Sequence, residues 1–420
     1  MRDGAGPLAS LRGNRNFALL WSSNLFFFAG AWSQTLVIAW VVFDITHSDL
    51  LVAVFTAARL APMLLGPFSG AFADRHNRVR LLLIASAWAM VAVSAVSTLM
   101  SLGRAPYWVL LVGGFAIGLA QSPSQPARAS LVMELVGRDR ISNANALNSL
   151  AMNMTQVVGP ALGGAMISGL GAPVALWVST TWYAISLILL VPLRGLGQAR
   201  PDSHADPVLH MVRSGFRAIA GNRLATAVLF VTVAANILLW PIYQSFMPVF
   251  AKESLRLDAA GLGLLLTCGG IGGLVGSLAI ASFGDFRFKG GLFVLGTACW
   301  GALWAAFALS HNVAAAFVLM GTIGLASAAF GVLQTTLLLM TVEPPIHGRA
   351  LGLQELAIGV MPIASLGLGA LAEAFGVGAT TFVSASLLAL TMLVLAAVMP
   401  QLIRYGGAVP AGPDVAPSTR

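Results

Sequence analysis

Charge is the scarcest thing in this sequence. Asp, Glu, Lys and Arg make up 9% of its 420 residues, and 58% are hydrophobic, whereas an average soluble domain carries about 25% charged residues. That excludes a water-soluble globular fold. Cysteine is almost missing. Cys268 and Cys299 lie in separate apolar runs, which excludes a disulfide framework or a thiolate metal centre and leaves two small packing residues. There is no G-x-x-x-x-G-K-[ST] loop to cradle a nucleotide, no G-x-S-x-G elbow and no H-E-x-x-H pair. ATP-driven work and hydrolytic chemistry are therefore not expected, and no cofactor or metal ion is implied. The net charge of +8 forms no nucleic-acid face, because the basic residues stand singly between apolar runs. A cleavable signal is not expected either, since the first apolar run, about 17–43, is too long for one.

What the chain does have is apolar length. A bilayer crossing needs about 20 apolar residues. By that measure spans are expected at about 17–43, 50–73, 79–103, 107–127, 144–168, 172–193, 224–250, 259–283, 290–309, 313–341, 350–375 and 378–399. The expected fold is all-α and polytopic, with twelve transmembrane helices. Kinks are expected at Gly66-Pro67, Pro160, Pro241 and Pro362, where neighbouring helices can satisfy the freed backbone groups. With both termini inside, 19 of the 23 Lys and Arg residues fall on the inner side, 3 fall outside (Arg104, Lys252, Arg256), and Arg59 lies within a span. The positive-inside rule then places both termini in the cytoplasm. Residues 1–16 form an inner tail, 17–193 a first set of six helices, 224–399 a second set, and 400–420 an inner tail expected to be disordered. Between the sets, 194–223 begins as a polar linker. Val208, Met211, Val212, Phe216 and Ile219 then recur at helical spacing, as in an amphipathic helix lying on the inner surface.

One polar hairpin interrupts the apolar pattern early: Gly70-Ala-Phe-Ala-Asp74-Arg75-His-Asn77-Arg78-Val-Arg80. An acid and three arginines in seven residues cannot rest in hydrocarbon, so this is a tight turn at the membrane surface. Gly70 allows close helix approach, and Asn77 suits the left-handed conformation of a sharp reversal. The stretch resembles the loop between helices 2 and 3 of the major facilitator superfamily, roughly G-x-x-x-D-R-x-G-R-R. Gly70, Asp74, Arg75 and Arg78 match that pattern; Asn77 replaces a Gly and the last basic residue moves to Arg80. A degraded copy, Asp285, Arg287 and Lys289, follows the eighth span. Its offset is shared by the glycines ending spans 5 and 11, as expected of a duplicated six-helix unit.

Gly159-Pro160-Ala-Leu-Gly163-Gly164 is a close-packing and kink element. It is similar to the end of an antiporter signature of that superfamily, without the upstream glycines. The run from Arg128 to Leu147 is similar to the loop between helices 4 and 5 in the branch of siderophore exporters and macrolide efflux pumps. The resemblance covers about residues 14–400. It implies two six-helix bundles, alternating access, and a loop at 70–78 that latches the halves on the cytoplasmic side.

Inside the spans Arg59 is the sharpest signal. It stands fifteen residues before Asp74, or ~22 Å along a helix. It is either a cationic cavity residue or a partner of Asp44 or Asp49 at the outer edge. Glu355 is either a proton carrier or an interfacial carboxylate latching to Arg75 or Arg78. Asn24, Gln34, Asn153, Asn236, Gln244 and Gln334, with Tyr243 and nearby tryptophans, suggest a largely apolar pocket with a few amides; each amide could equally be an interhelical hydrogen bond. The expected activity is proton-driven export of a hydrophobic or amphipathic small molecule, drug or siderophore-like, by a monomer in the cell membrane. Uptake or facilitation without protons, and a non-transporting membrane sensor or assembly partner, are the alternatives.

Overall fold

The structure, a computed structural model, describes residues 11, 13–65, 76–136, 141–197, 216, 217, 219–283, 286–343 and 346–406. Among these residues the expected apolar runs are helical: α1 Arg15–Thr46, α2 Asp49–Leu60 (continued by a 3₁₀ turn, Ala61–Leu65), α3 Arg78–Ser101, α4 Tyr107–Val136, α5 Ile141–Leu170 and α6 Ala172–Leu190. Then follow α7 Arg223–Leu238, α8 Ala259–Ser282, α9 Lys289–Ala308, α10 Val313–Thr341, α11 His347–Gly359 and α12 Val377–Val398. Among the described residues, nine helices are long and apolar enough to cross a membrane. Those at 49–65, 107–136 and 141–170 fall outside that set. Large apolar side chains such as Trp88, Ile188, Leu278, Val318 and Val383 stand exposed on the outside of the bundle, which is the pattern of helices meant to face lipid rather than water.

Local chemistry sets the helix ends. Asn14, Ser48, Asn222, Asp258 and Asn312 each cap a helix by accepting a backbone N–H through the side chain, which satisfies donors that would otherwise be stranded. Asn77 does the same for α3. It is extended (φ −63°, ψ 114°) and accepts from Arg80 N, so the left-handed conformation expected of it is not found. Capping supplies the reversal instead. Two helices break where proline follows. Past Leu239 the chain of α7 resumes at Trp240–Ser245, with Pro241 at its start. After Val360, α11 resumes at Met361–Phe375, with Pro362 at its start. The missing N–H of each proline makes a helix start the favoured place for it.

α1 packs against α5 and α6, and α3 against α4 and α6. On the other side α8 packs against α10, and α9 against α10 and α12. The two sets touch through α5 against α8, and through α2 against the second part of α11. Bare backbone makes the α5–α8 seam possible: a Cβ on Gly164 would come 2.9 Å from Gly263 Cα, and one on Gly270 would come 2.7 Å from Val157 Cγ2. Thr267 Oγ1 donates across this seam to Val157 O at 3.1 Å.

Candidate functional site: a buried arginine cluster and a latched end

Arg128 was expected in the loop after the fourth span. It lies instead inside α4, 1% exposed. The helix runs through Pro123 and Pro126 to Val136, so prolines and a charge that read as a helix end are carried within it. Its Nη1 faces Asn24 Oδ1 on α1 and lies 3.4 Å from Ser23 Oγ. The guanidinium stacks 4.4 Å from the Phe27 ring centroid and 5.7 Å from that of Phe28. Asn24 is itself held by Asn148, whose Oδ1 accepts from Asn24 Nδ2 at 2.8 Å, and this turns the Asn24 oxygen toward Arg128. Nε and Nη2 of Arg128 are buried with no acceptor.

Arg59 ends up near this cluster. It is 7% exposed on α2, and its buried Nε likewise has no acceptor. The pairing with Asp44 or Asp49 does not form. Asp44 is taken by Lys252 of the other helix set, and Asp49 sits beside Glu253 and Glu373. The phenol of Tyr183 on α6 feels both Arg59 and Arg128, and Gln121 of α4 reaches toward it. Two guanidiniums thus share one interior region with amides, hydroxyls and aromatic faces but, among the described residues, with no carboxylate.

The remaining expected cavity residues separate. Tyr243 and Gln244 line a gap with Trp32, Thr35, Pro160 and Met247 between the helix sets. It holds about 30 Å³, room for a water or two but far short of the ~300 Å³ at which ligand pockets begin. Gln34 is buried with both amide atoms unpartnered, and Gln334 Oε1 is likewise unpartnered. Asn236 donates back to Thr232 O of its own helix at 2.8 Å. Asn153 is half-buried on α5. Gly159 and Gly163 lie against Trp32 and Ser33 of α1, and Gly164 with Pro160 lies against Gly263 of α8.

Of the polar hairpin, Gly70, Asp74 and Arg75 lie outside the described residues, as do Asp285 and most of 194–223. Arg78 is described. Its Nη1 donates to Glu134 Oε2 at 2.9 Å, while Glu134 Oε1 accepts from Gly197 N at 3.1 Å. Arg78 therefore ties α3 to the end of α4 rather than to Glu355. Arg287 rests over the Phe288 ring at 4.8 Å. Glu355 stands exposed on α11. No hydrogen bond or ion pair to another described residue holds its carboxylate.

The end of the molecule opposite the hairpin is tied shut between the two helix sets. Lys252 pairs with Asp44 and lies 4.6 Å from the Trp40 ring centroid. Glu373 Oε2 accepts from Ser48 Oγ at 2.9 Å and from Leu50 N at 3.1 Å. Ser168 Oγ donates to Asp258 Oδ2 at 3.1 Å and accepts from Ala260 N at 3.0 Å. Within this latch, partial burial and then the charges of Glu253 and Glu373 push the Asp49 carboxyl up to about 6. The closed form therefore holds the Asp49 proton more tightly than a free carboxyl does. Its contribution to closure is full below about pH 4 and is lost as pH rises through about 6. Spin labels on Ser168→Cys and Asp258→Cys, with both native cysteines replaced by Ser, are expected to report a larger short-distance population at pH 5 than at pH 7.5. Asp49→Asn should remove that dependence.

A narrow gap between two helix sets, buried polar groups within the bundle and an apolar exterior define a multi-span membrane transporter fold. A POT family transporter, crystallised with a thioalcohol-conjugated peptide, shares this fold. It superposes with a TM-score of 0.78 over 92% of this chain and 96% of its own, at 11% identity. The sequence matches the model of the transmembrane secretion effector family over residues 5–404, and the chain belongs to that family of the major facilitator superfamily. Among its relatives, the multidrug efflux pump Tap of Mycolicibacterium fortuitum is 25% identical over 89% of this chain and 93% of its own length. The staphyloferrin A transporter of Staphylococcus aureus is 22% identical over 89% and 94%.

Proposed function

We propose that the chain is a secondary active exporter of amphipathic small molecules in the cell membrane. Its two six-helix halves, 17–193 and 224–399, alternately open a central cavity to either face, with both termini cytoplasmic, as a monomer. The observation that carries this reading is the closure between the halves at one end. Hydrogen bonds and a glycine seam join them at the end bearing residues 44–50, 252–258 and 373, and the gap beneath is too small for a ligand. A transporter that works by alternating access must pass through a state closed at that end. The basic bias of the loops makes that sealed end the outer one, and the names of the efflux and siderophore relatives favour export. Proton antiport is the coupling we assign. Arg78 ties α3 to the end of α4 at the inner rim, and Glu355, a carboxylate without an ion partner within a helix span, is the group placed to exchange protons.

Inside-out vesicles from cells lacking their own pumps test this reading. A ΔpH-dependent accumulation of a dansyl-labelled amphiphile, collapsed by a protonophore, is expected. Accumulation that ignores the protonophore would leave transport standing and overturn antiport; no accumulation in any gradient would favour a sensor or assembly role.

A further inference from the structure

We propose that the transported molecule carries a negative charge, a carboxylate, sulfonate or phosphate, which docks on Arg128 with Arg59 supplying a second positive charge. The inference deepens the exporter reading and rests on it for the word transported, although the anion site itself stands on geometry.

Charge balance is the first part of the argument. An arginine keeps its proton under ordinary conditions, so α2 and α4 each bring a permanent positive charge into the interior of the N-terminal half. A buried ion needs a counter-charge or a full set of hydrogen bonds. Arg128 has neither: its neighbours Asn24, Ser23, Phe27 and Phe28 are neutral, and Nε and Nη2 lack acceptors although they are buried. Arg59 repeats the pattern with its Nε. Carboxylates that could have served pair elsewhere, Asp44 with Lys252 and Glu134 with Arg78.

Geometry is the second part. Asn24 holds one edge of the Arg128 guanidinium and Phe27 covers its face, so the plane is fixed before any ligand arrives. The Nε–Nη2 edge is left as a fork without acceptors, the shape that meets two oxygens of a planar or tetrahedral anion at once. Asn148, by fixing the Asn24 amide, is a positioning residue for that fork. Aromatic faces beside a permanent cation suit an anion with an attached apolar body. A purely structural arginine would be expected to spend its donors on backbone carbonyls or a carboxylate, and this one spends a single nitrogen.

Three probes of nearly one size separate the charge from the body: dansylglycine (anionic), dansylamide (neutral) and dansylcadaverine (cationic). Binding is read by fluorescence on the purified full-length protein in detergent, apart from any transport. Dansylglycine is expected to bind at least tenfold more tightly than either of the others. Arg128→Gln should erase that preference while leaving dansylamide binding within twofold. Arg128→Lys should keep part of it, and Arg59→Gln should lower it. Because Arg128 is held as a ligand group and not as a structural pin, Arg128→Gln should unfold at the same or a higher temperature than the parent. The proposal is overturned if dansylglycine does not bind, if the neutral or cationic probe binds as well, or if Arg128→Gln lowers the unfolding temperature and weakens all three probes alike. Anion-selective binding without vesicle transport would sink the exporter reading and leave the site; transport without anion preference would do the reverse.

Discussion

Gly164→Val is expected to abolish transport while leaving each half folded. A branched side chain there would drive its Cβ into Gly263 Cα, 2.9 Å away, and into the carbonyl of Ala259. Backbone on both sides cannot give as a flexible side chain would. Overpacking of this kind costs about 1–3 kcal/mol even where side chains can shift, and here the whole cost falls on the state in which α5 meets α8. At about 1.4 kcal/mol per tenfold, the upper end depletes the latched state by ~100-fold. Spin labels at positions 168 and 258 should lose their short-distance population, and substrate flux should fall by a similar factor. Gly164→Ala should give a partial form of both effects. If Gly164→Val keeps the short distance and the flux, the seam is not what moves.

Glu355→Gln is expected to uncouple transport from the proton gradient. With one proton exchanged per substrate, a gradient of 2 pH units supplies ~2.7 kcal/mol, enough to sustain about 100-fold accumulation. Without a titrating group the gradient has no handle, and accumulation should fall to about onefold. Exchange of labelled for unlabelled substrate across the membrane should continue, because the amide leaves the Arg128 fork and the α5–α8 seam untouched. Glu355→Asp should retain part of the driven accumulation. Unchanged accumulation in Glu355→Gln would move the coupling role to another carboxylate.

The apolar pattern made the helices legible, because a bilayer crossing demands a long run and the run is read directly. α10 falls on Val313–Thr341 and α8 on Ala259–Ser282, within a residue of the expected 313–341 and 259–283. α4 was misjudged at its far end. Pro123, Pro126 and Arg128 are each a reason to stop a helix in water, but in a bundle neighbouring groups can absorb them. The same misjudgement hid Arg128, counted as a topology charge because it stood one residue past the expected end of the fourth span at 127. Arg59 was legible as a buried charge since no other charged residue stands between Asp49 and Asp74. Its neighbours were not, because Tyr183 lies more than a hundred residues away. The amides show the limit of composition as a guide: Asn24 and Asn236 look alike in an apolar run, yet one orients Arg128 and the other bonds to its own helix.

The interruptions of α7 at Leu239 and of α11 at Val360 carry a mechanical consequence. Neither helix is a continuous rod, so each can flex near its middle without tearing an unbroken ladder of hydrogen bonds. α1 and α5, in contrast, run through 32 and 30 residues in one piece. α7 and α11 are thus jointed struts beside the unbroken α1 and α5. Backbone amides around 236–243 and 358–364 should accordingly trade their hydrogens for deuterium sooner than any comparable depth of α1.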